Sequence, residues 1–179
     1  MSIIAGKDLY DLVLKKVITA DPTQINTSSI DITLGDTILM ESSEGGVVDL
    51  ANKESIKWDT IKLSKDGMLI YPGQVFLANT QEFFNIPSDI SAEFILKSST
   101  ARNFLSHMLA GWCDPGWNGS TLTMEFKNSS QFHTLLIKPG MRIGQIVFHK
   151  HNDTGDMSYA FKGNYNNQKA PTPAHGNAT

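Results

Sequence analysis

The chain holds a single cysteine, Cys113, among 179 residues. One cysteine closes no disulfide within the chain, so stability has to come from a packed core, and the usage fits a reducing compartment. Charge is also sparse. Charged residues make up 18%, the net charge is -3, and Lys and Arg form no block. A nucleic-acid backbone is gripped by clustered cations, so this balance argues against a nucleic-acid partner. It leaves room for a small polyanion held by a few placed cations. No run approaches the roughly 20 apolar residues of a membrane span. The start, "MSIIAGKDLYDLVLKK", lacks the charged region and apolar stretch of a secretory signal. The expectation is a soluble cytoplasmic protein with no membrane partner. Internal repeats, a Walker motif and a dinucleotide fingerprint are missing as well.

What is present is an ordinary globular balance, 40% apolar, in a length that suits one domain with a sizeable core. Leu9, Leu12 and Val13 in "GKDLYDLVLKKV" stand at helical spacing and predict a short N-terminal helix over 6–17, with Pro22 beyond its end. The period then changes to two. "SIDITLGD" alternates Ile30, Ile32 and Leu34 against Asp31 and Thr33 and is expected to turn at Gly35–Asp36. Further strands are predicted around 37–41, 68–71, 74–80, 90–96, 121–127, 134–137 and 143–149, with Gly or Pro between many of them. Many short strands with regular turns read as a sandwich, barrel or jelly roll, an all-β class. "SSTARNFL" interrupts them as one short internal helix with Ser99 near its N-cap. From Gly163 the chain is rich in Asn, Pro, Thr and Gly and has little to bury. The predicted division is a single β domain over 1–162 and a flexible C-terminal lid over 163–179.

The stretch "AGWCDPGWNG", 110–119, packs two of the three tryptophans and the only cysteine around a tight turn. A zinc site needs three or four ligands at short spacings. Cys113 has none of His107, His133, His149 or His151 at such a spacing, and the H-x-E…P-C-x-x-C signature of zinc deaminases is absent. Between Trp112 and Asp114 the thiol lacks the cationic surroundings of a nucleophile, so Cys113 reads as a small buried hydrophobe. In "STLTMEF", Leu122, Met124 and Phe126 share one strand face and read as core. Thr121, Thr123 and Glu125 share the other. Glu125 is there either a solvated carboxylate or, if this face lines a pocket, a candidate acid–base group. "LKSSTAR" brings Lys97, Ser98, Ser99 and Arg102 within about one helical turn, either an ordinary helix start or a phosphate cradle.

Taken together, "LKSSTARNFL", "LAGWCDPGWNGSTLTMEFKN" and "IKPGMRIGQIVFHK", in this order and spacing, resemble the dCTP deaminase branch of the trimeric dUTPase superfamily. "SSIDITLGD" resembles its first motif and "KGNYNNQ" its tyrosine-containing C-terminal segment, so the likeness spans roughly 28 to 170. The resemblance implies a distorted jelly-roll or β-barrel and a homotrimer with active sites between subunits. It implies dCTP or dUTP as ligand, dTTP as a candidate inhibitor, magnesium carried on the triphosphate, no zinc, and no metal ligand from protein side chains. By the same resemblance Glu125 is the catalytic glutamate, and Ser98 and Arg102 hold the water and orient that glutamate. Lys97, Ser99 and Gln145 contact phosphates. Asp114 meets the sugar 3′-hydroxyl, the Ala110 backbone faces the reacting centre, and Trp117 walls the pocket. Tyr159, Tyr165 and Gln168 belong to the closing tail, and His107 is linked with switching between active and inactive forms. Lys97 stands where the family has arginine, which loses bidentate phosphate geometry. Asn164 stands where it commonly has lysine, a place that Lys162 is expected to serve.

The first expectation for activity is a dCTP deaminase that releases dUTP and ammonia for thymidylate synthesis. The alternatives are a bifunctional enzyme that carries dCTP to dUMP, a plain dUTPase, and a catalytically silent nucleotide-binding regulator.

Overall fold

The computed structural model describes residues 2–175. A two-residue strand β1 (Ser2–Ile3) precedes α1 (Lys7–Leu14), which buries Leu9 and Leu12 as the spacing predicts. The helix stops without a glycine. Lys16 takes the left-handed conformation, φ 56°, and the amides of Lys16 and Val17 bond back to the carbonyls of Val13 and Leu12. This closes the last turn as glycine usually does.

The strands follow as β2 (Ile30–Glu41), β3 (Trp58–Lys62), β4 (Met68–Ile70), β5 (Val75–Asn85), β6 (Ile90–Leu96), β7 (Leu105–His107), β8 (Trp112–Cys113), β9 (Asn118–Asn128), β10 (Leu135–Ile137) and β11 (Arg142–Lys150). Two four-residue helices join them, α2 (Ser98–Ala101) after β6 and α3 (Tyr159–Lys162) near the end. The class is mainly β, as expected, with the predicted internal helix in place and α3 in addition. One curled, antiparallel sheet runs β7-β9-β5-β2-β11-β6-β8, with β1 added beside β11 and β3 beside β2; β4 and β10 form a separate pair. The curl brings the two arms of the sheet together. Phe94 of β6 lies 6.5 Å from Phe126 of β9 and 4.8 Å from His107 of β7, ring to ring.

Alternation on the long strands explains which faces meet. Ile30, Ile32 and Leu34 are fully buried, as are Met124 and Phe126, with Leu122 nearly so. Two local expectations fail. The chain does not turn at Gly35–Asp36. β2 runs on to Glu41, with a register shift between Leu34 and Ile38 that absorbs the irregularity. Glycine is required there by crowding, since a Cβ on Gly35 would overlap the side-chain oxygen of Asn79. Asp31, placed by alternation on the outer side, is only 2% exposed. Lys97 Nζ approaches Asp31 Oδ1 at 2.6 Å, Asn26 Nδ2 donates to the same oxygen at 2.9 Å, and Arg142 Nη1 reaches Oδ2 at 3.3 Å. Burial works against the charge, but the bonds from Lys97 and Asn26, helped by the two cations, outweigh it and hold the carboxyl below its usual range.

Ser99 is not the N-cap of α2. Lys97 occupies that position in extended conformation and gives no side-chain cap, so Ser98 and Ser99 both lie inside the helix. The strands β3, β7 and β8 were not predicted. β7 and β8 are too short for a period of two to show, and β3 is framed by polar loop.

Candidate active site

A cavity of about 700 Å³ opens beside β9. Its wall is the polar face of that strand. Thr123 and Glu125 point into the cavity, while Leu122 and Phe126 touch it from the core side. The Glu125 side chain is 27% exposed, and its Oε2 is buried without a hydrogen bond. The alternation of "STLTMEF" therefore places a half-buried carboxylate on a pocket wall.

The turn after β8 makes the floor. Trp117 N bonds to Asp114 O at 3.1 Å, closing Asp114–Trp117, and Gly116 adopts φ 89° at the tip. A Cβ on Gly116 would collide with the Ser158 hydroxyl, so the turn and the chain before α3 fit only with glycine here. The Trp117 ring is buried against Phe84, and its indole N–H donates to Tyr165 O at 2.7 Å. The other tryptophan is half exposed at the cavity mouth, where Trp112 Nε1 donates to Asp114 Oδ1 at 3.2 Å. Ala110 and Asp114 line the space between them. Cys113 is 2% exposed, and burial, with the nearby Asp114 charge, pushes its thiol up to about 12. A thiol that stays protonated is no nucleophile, so the hydrophobe reading holds.

The C-terminal segment closes another side. Tyr159, Tyr165 and Gln168 line the cavity. The chain is held to β9 by Thr121 N to Gln168 O at 2.8 Å, Gln168 N to Ser120 Oγ at 3.1 Å and Thr172 N to Thr123 Oγ1 at 3.1 Å. Tyr159 Oη accepts from Tyr165 N at 3.2 Å, yet burial dominates and raises its phenol above the ordinary value. The tail expected as a lid lines the cavity as far as Ala174. Its last residues, 176–179, fall outside the described residues.

The remaining expected residues lie elsewhere on the chain. Ser98, Ser99 and Arg102 sit exposed on and after α2, and Lys97 just before it is tied to Asp31. Gln145 of β11 accepts a bond from Ser29 Oγ at 2.7 Å. None of the five lines the cavity that holds Glu125. Lys162 does not line the cavity either; its Nζ lies 3.5 Å from the Met157 sulfur. His107 stands behind Glu125, with Nε2 3.4 Å from Oε2. No group of three or more His, Cys, Asp or Glu able to hold a metal occurs among the described residues. No described helix is long and apolar enough to cross a membrane.

Sequence reasoning missed one wall. Val48, Leu50, Ile56 and Trp58, from the long connection between β2 and β3 and its end, face the cavity. Their signal was a few apolar residues in an otherwise polar stretch, with Trp58 opening the short alternation "WDTIK".

The family model for dCTP deaminase-like proteins matches residues 3–151. A protein of Persephonella marina named dCTP deaminase, dUMP-forming, is 32% identical over 174 residues, covering 95% of this chain and 94% of its own. One of Coprothermobacter proteolyticus with the same name is 35% identical, covering 91% and 90%. The crystal structure of 2′-deoxycytidine 5′-triphosphate deaminase from Agrobacterium tumefaciens superposes with a TM-score of 0.67 at 21% identity. It covers 83% of this chain, which spans 47% of that longer one, and it supports the fold alone. A family match that runs from β1 to the end of β11, with relatives 32% and 35% identical that align over 90% or more of both chains, makes the chain an enzyme of the dCTP deaminase-like family.

Proposed function

We propose that the chain converts dCTP to dUMP, with ammonia and pyrophosphate as the other products. The observation that carries this reading is Glu125, a half-buried carboxylate on the wall of a largely apolar, aromatic-lined cavity that it shares with Asp114. Replacing the 4-amino group of cytosine requires water to add at C4 and the leaving amine to gain a proton. A carboxylate that lifts the proton from water and passes it to the amine performs both steps. The volume suits a nucleoside. Trp117 and Ala110 flank the base, and Asp114 meets the sugar. The relatives' shared name favours dUMP over the dUTP product expected first from sequence. The second step adds one more water across the bond between the α- and β-phosphates, with Asp114 as the candidate that activates it.

Among the described residues, no Lys or Arg lines the cavity of Glu125. Ser98, Ser99, Arg102, Lys97 and Gln145 carry that chemistry on another part of the surface. In this reading the protein works as a homotrimer, and a neighbouring copy brings its Ser98 and Arg102 to the first copy's Glu125. Magnesium arrives with the triphosphate as part of the substrate. The segment 163–179 acts as a lid that excludes bulk water once the nucleotide is bound. The test is to incubate the protein with dCTP, dUTP or dCMP in magnesium and resolve the products. Formation of dUMP, pyrophosphate and ammonia from dCTP is expected. Accumulation of dUTP alone would reduce the reading to simple deamination, and turnover of dUTP without dCTP would make the protein a dUTPase.

A further inference from the structure

Glu125 has two oxygens and one task that needs only one of them. A general base must present one oxygen to the water, and that aim is fixed only if the other is held. In the described chain, Oε2 is buried and makes no hydrogen bond. Facing it at 3.4 Å is His107 Nε2, likewise buried and without a hydrogen bond. Two polar atoms removed from water, each unpaired, and each the nearest complement of the other, are a costly arrangement unless they pair in a working state. Hydrogen bonds of catalytic groups are often long or off-line before substrate binds and tighten afterwards.

The surroundings of His107 fix where its nitrogen points. The side chain is 4% exposed. Its ring is wedged edge-on between Phe94, at 4.8 Å, and Phe126, at 5.8 Å. The next residue ties the backbone to the same place, since Met108 N donates to Glu125 O at 3.1 Å. On its far side His107 borders a second cavity that Glu93 also lines. Glu93 is turned toward His149, 3.9 Å away, and among the described residues Glu125 is the acid within reach of the His107 ring. Neutral imidazole with its proton on Nε2 is a donor there, and it adds no positive charge that would blunt the base.

We infer that His107 is a positioning residue for the deamination step: its Nε2–H holds Oε2 of Glu125 and leaves the other carboxylate oxygen aimed at the water. This rests on the proposed role of Glu125. It differs from the switching role that the sequence resemblance gave to His107, because it acts in every turnover and needs no second conformation.

The test compares His107→Leu, which fills the space between the two rings but donates nothing, with His107→Gln, whose amide N–H can reach the same oxygen. Parental turnover of dCTP is established first, so failure of the functional reading shows in the parent alone. With the imidazole holding the carboxylate in the parent, His107→Leu is expected to lower kcat about tenfold or more with KM within about twofold, and His107→Gln, through its amide, to recover much of that loss. Thermal midpoints of both variants are measured alongside. Equal turnover in the two variants, or a loss carried by KM or by stability alone, overturns the inference.

Discussion

Around Glu125 the walls are Trp117, Phe126, Tyr159 and Tyr165, with Asp114 and Glu54 the other charged side chains that line the cavity. Around Asp31, on β2, two cations converge on one buried carboxylate, and Lys97 there leads directly into the exposed Ser98, Ser99 and Arg102. The first region is concave and largely apolar, the surface proposed above for a base and sugar. The second is polar, with its groups spent partly on each other. Under the proposed function, the contrast means that a single chain separates the two halves of nucleotide recognition. On that reading, chemistry at the base ring belongs to β9 and the turn before it, and the phosphate-anchoring groups are displayed outward for another copy.

The sharpest way to break this comparison is to inactivate each region separately and mix the products. Glu125→Gln keeps the shape of the side chain and cannot take a proton, so turnover should fall by about a thousandfold or more with dCTP binding retained. Arg102→Ala should also be nearly silent. If the regions meet only between copies, co-refolding the two inactive proteins in equal amounts restores about a quarter of the sites, since each intact site draws Glu125 from one variant and Arg102 from the other. No recovery of turnover in the mixture would place both groups in one chain's site and dissolve the distinction.

A smaller effect probes the cavity side alone. Truncation after Lys162 removes Tyr165, Gln168 and the bonds to Ser120, Thr121 and Thr123, but leaves every strand in place. Steady-state kinetics should show roughly a tenfold or larger drop in kcat/KM, with far-ultraviolet circular dichroism unchanged. Parental kinetics in the truncated chain would mean the segment is no lid.

The β class, the N-terminal helix and the two faces of β9 were legible because each depends on a period that the chain displays locally. Leu122, Met124 and Phe126 are core for the same reason that Glu125 is not. Cys113 was legible from its neighbours. What escaped depends on partners distant in sequence. Nothing near Gly35 announces Asn79, so a residue that serves close packing reads as a turn. Asp31 looks like a solvent-side residue until Lys97 and Arg142, far along the chain, are brought to it. The wall from Val48 to Trp58 belongs to a loop whose fold follows from the cavity it covers. Lys162 was offered by type for the place that Asn164 occupies, and its Nζ lies 3.5 Å from the Met157 sulfur.

The smallest effect tests whether the Asp31 cluster is structural support or part of the phosphate half. Asp31 carries a folded-state pKa below the ordinary carboxylate value because Lys97 and Asn26 bond to its charged form despite burial. A depressed carboxylate contributes stability that is fully present above its unfolded value, near 4, and is lost as pH falls through the lower folded value. Arg142 is nearly half exposed, so water screens its share, and most of the weight rests on Lys97 and Asn26. Asp31→Asn should therefore cost about 2 kcal/mol in denaturant unfolding at pH 7. That difference should hold down to about pH 5 and shrink below about pH 4, as the parent's own carboxylate takes up its proton. At neutral pH, kcat should stay close to the parent's, because the carboxylate lies outside the cavity of Glu125. A stability difference independent of pH would show that Asp31 holds the strands by shape and not by charge. A selective rise in KM for dCTP would show instead that Lys97 needs this anchor to meet the phosphates, and the cluster would then belong to the binding half of the molecule.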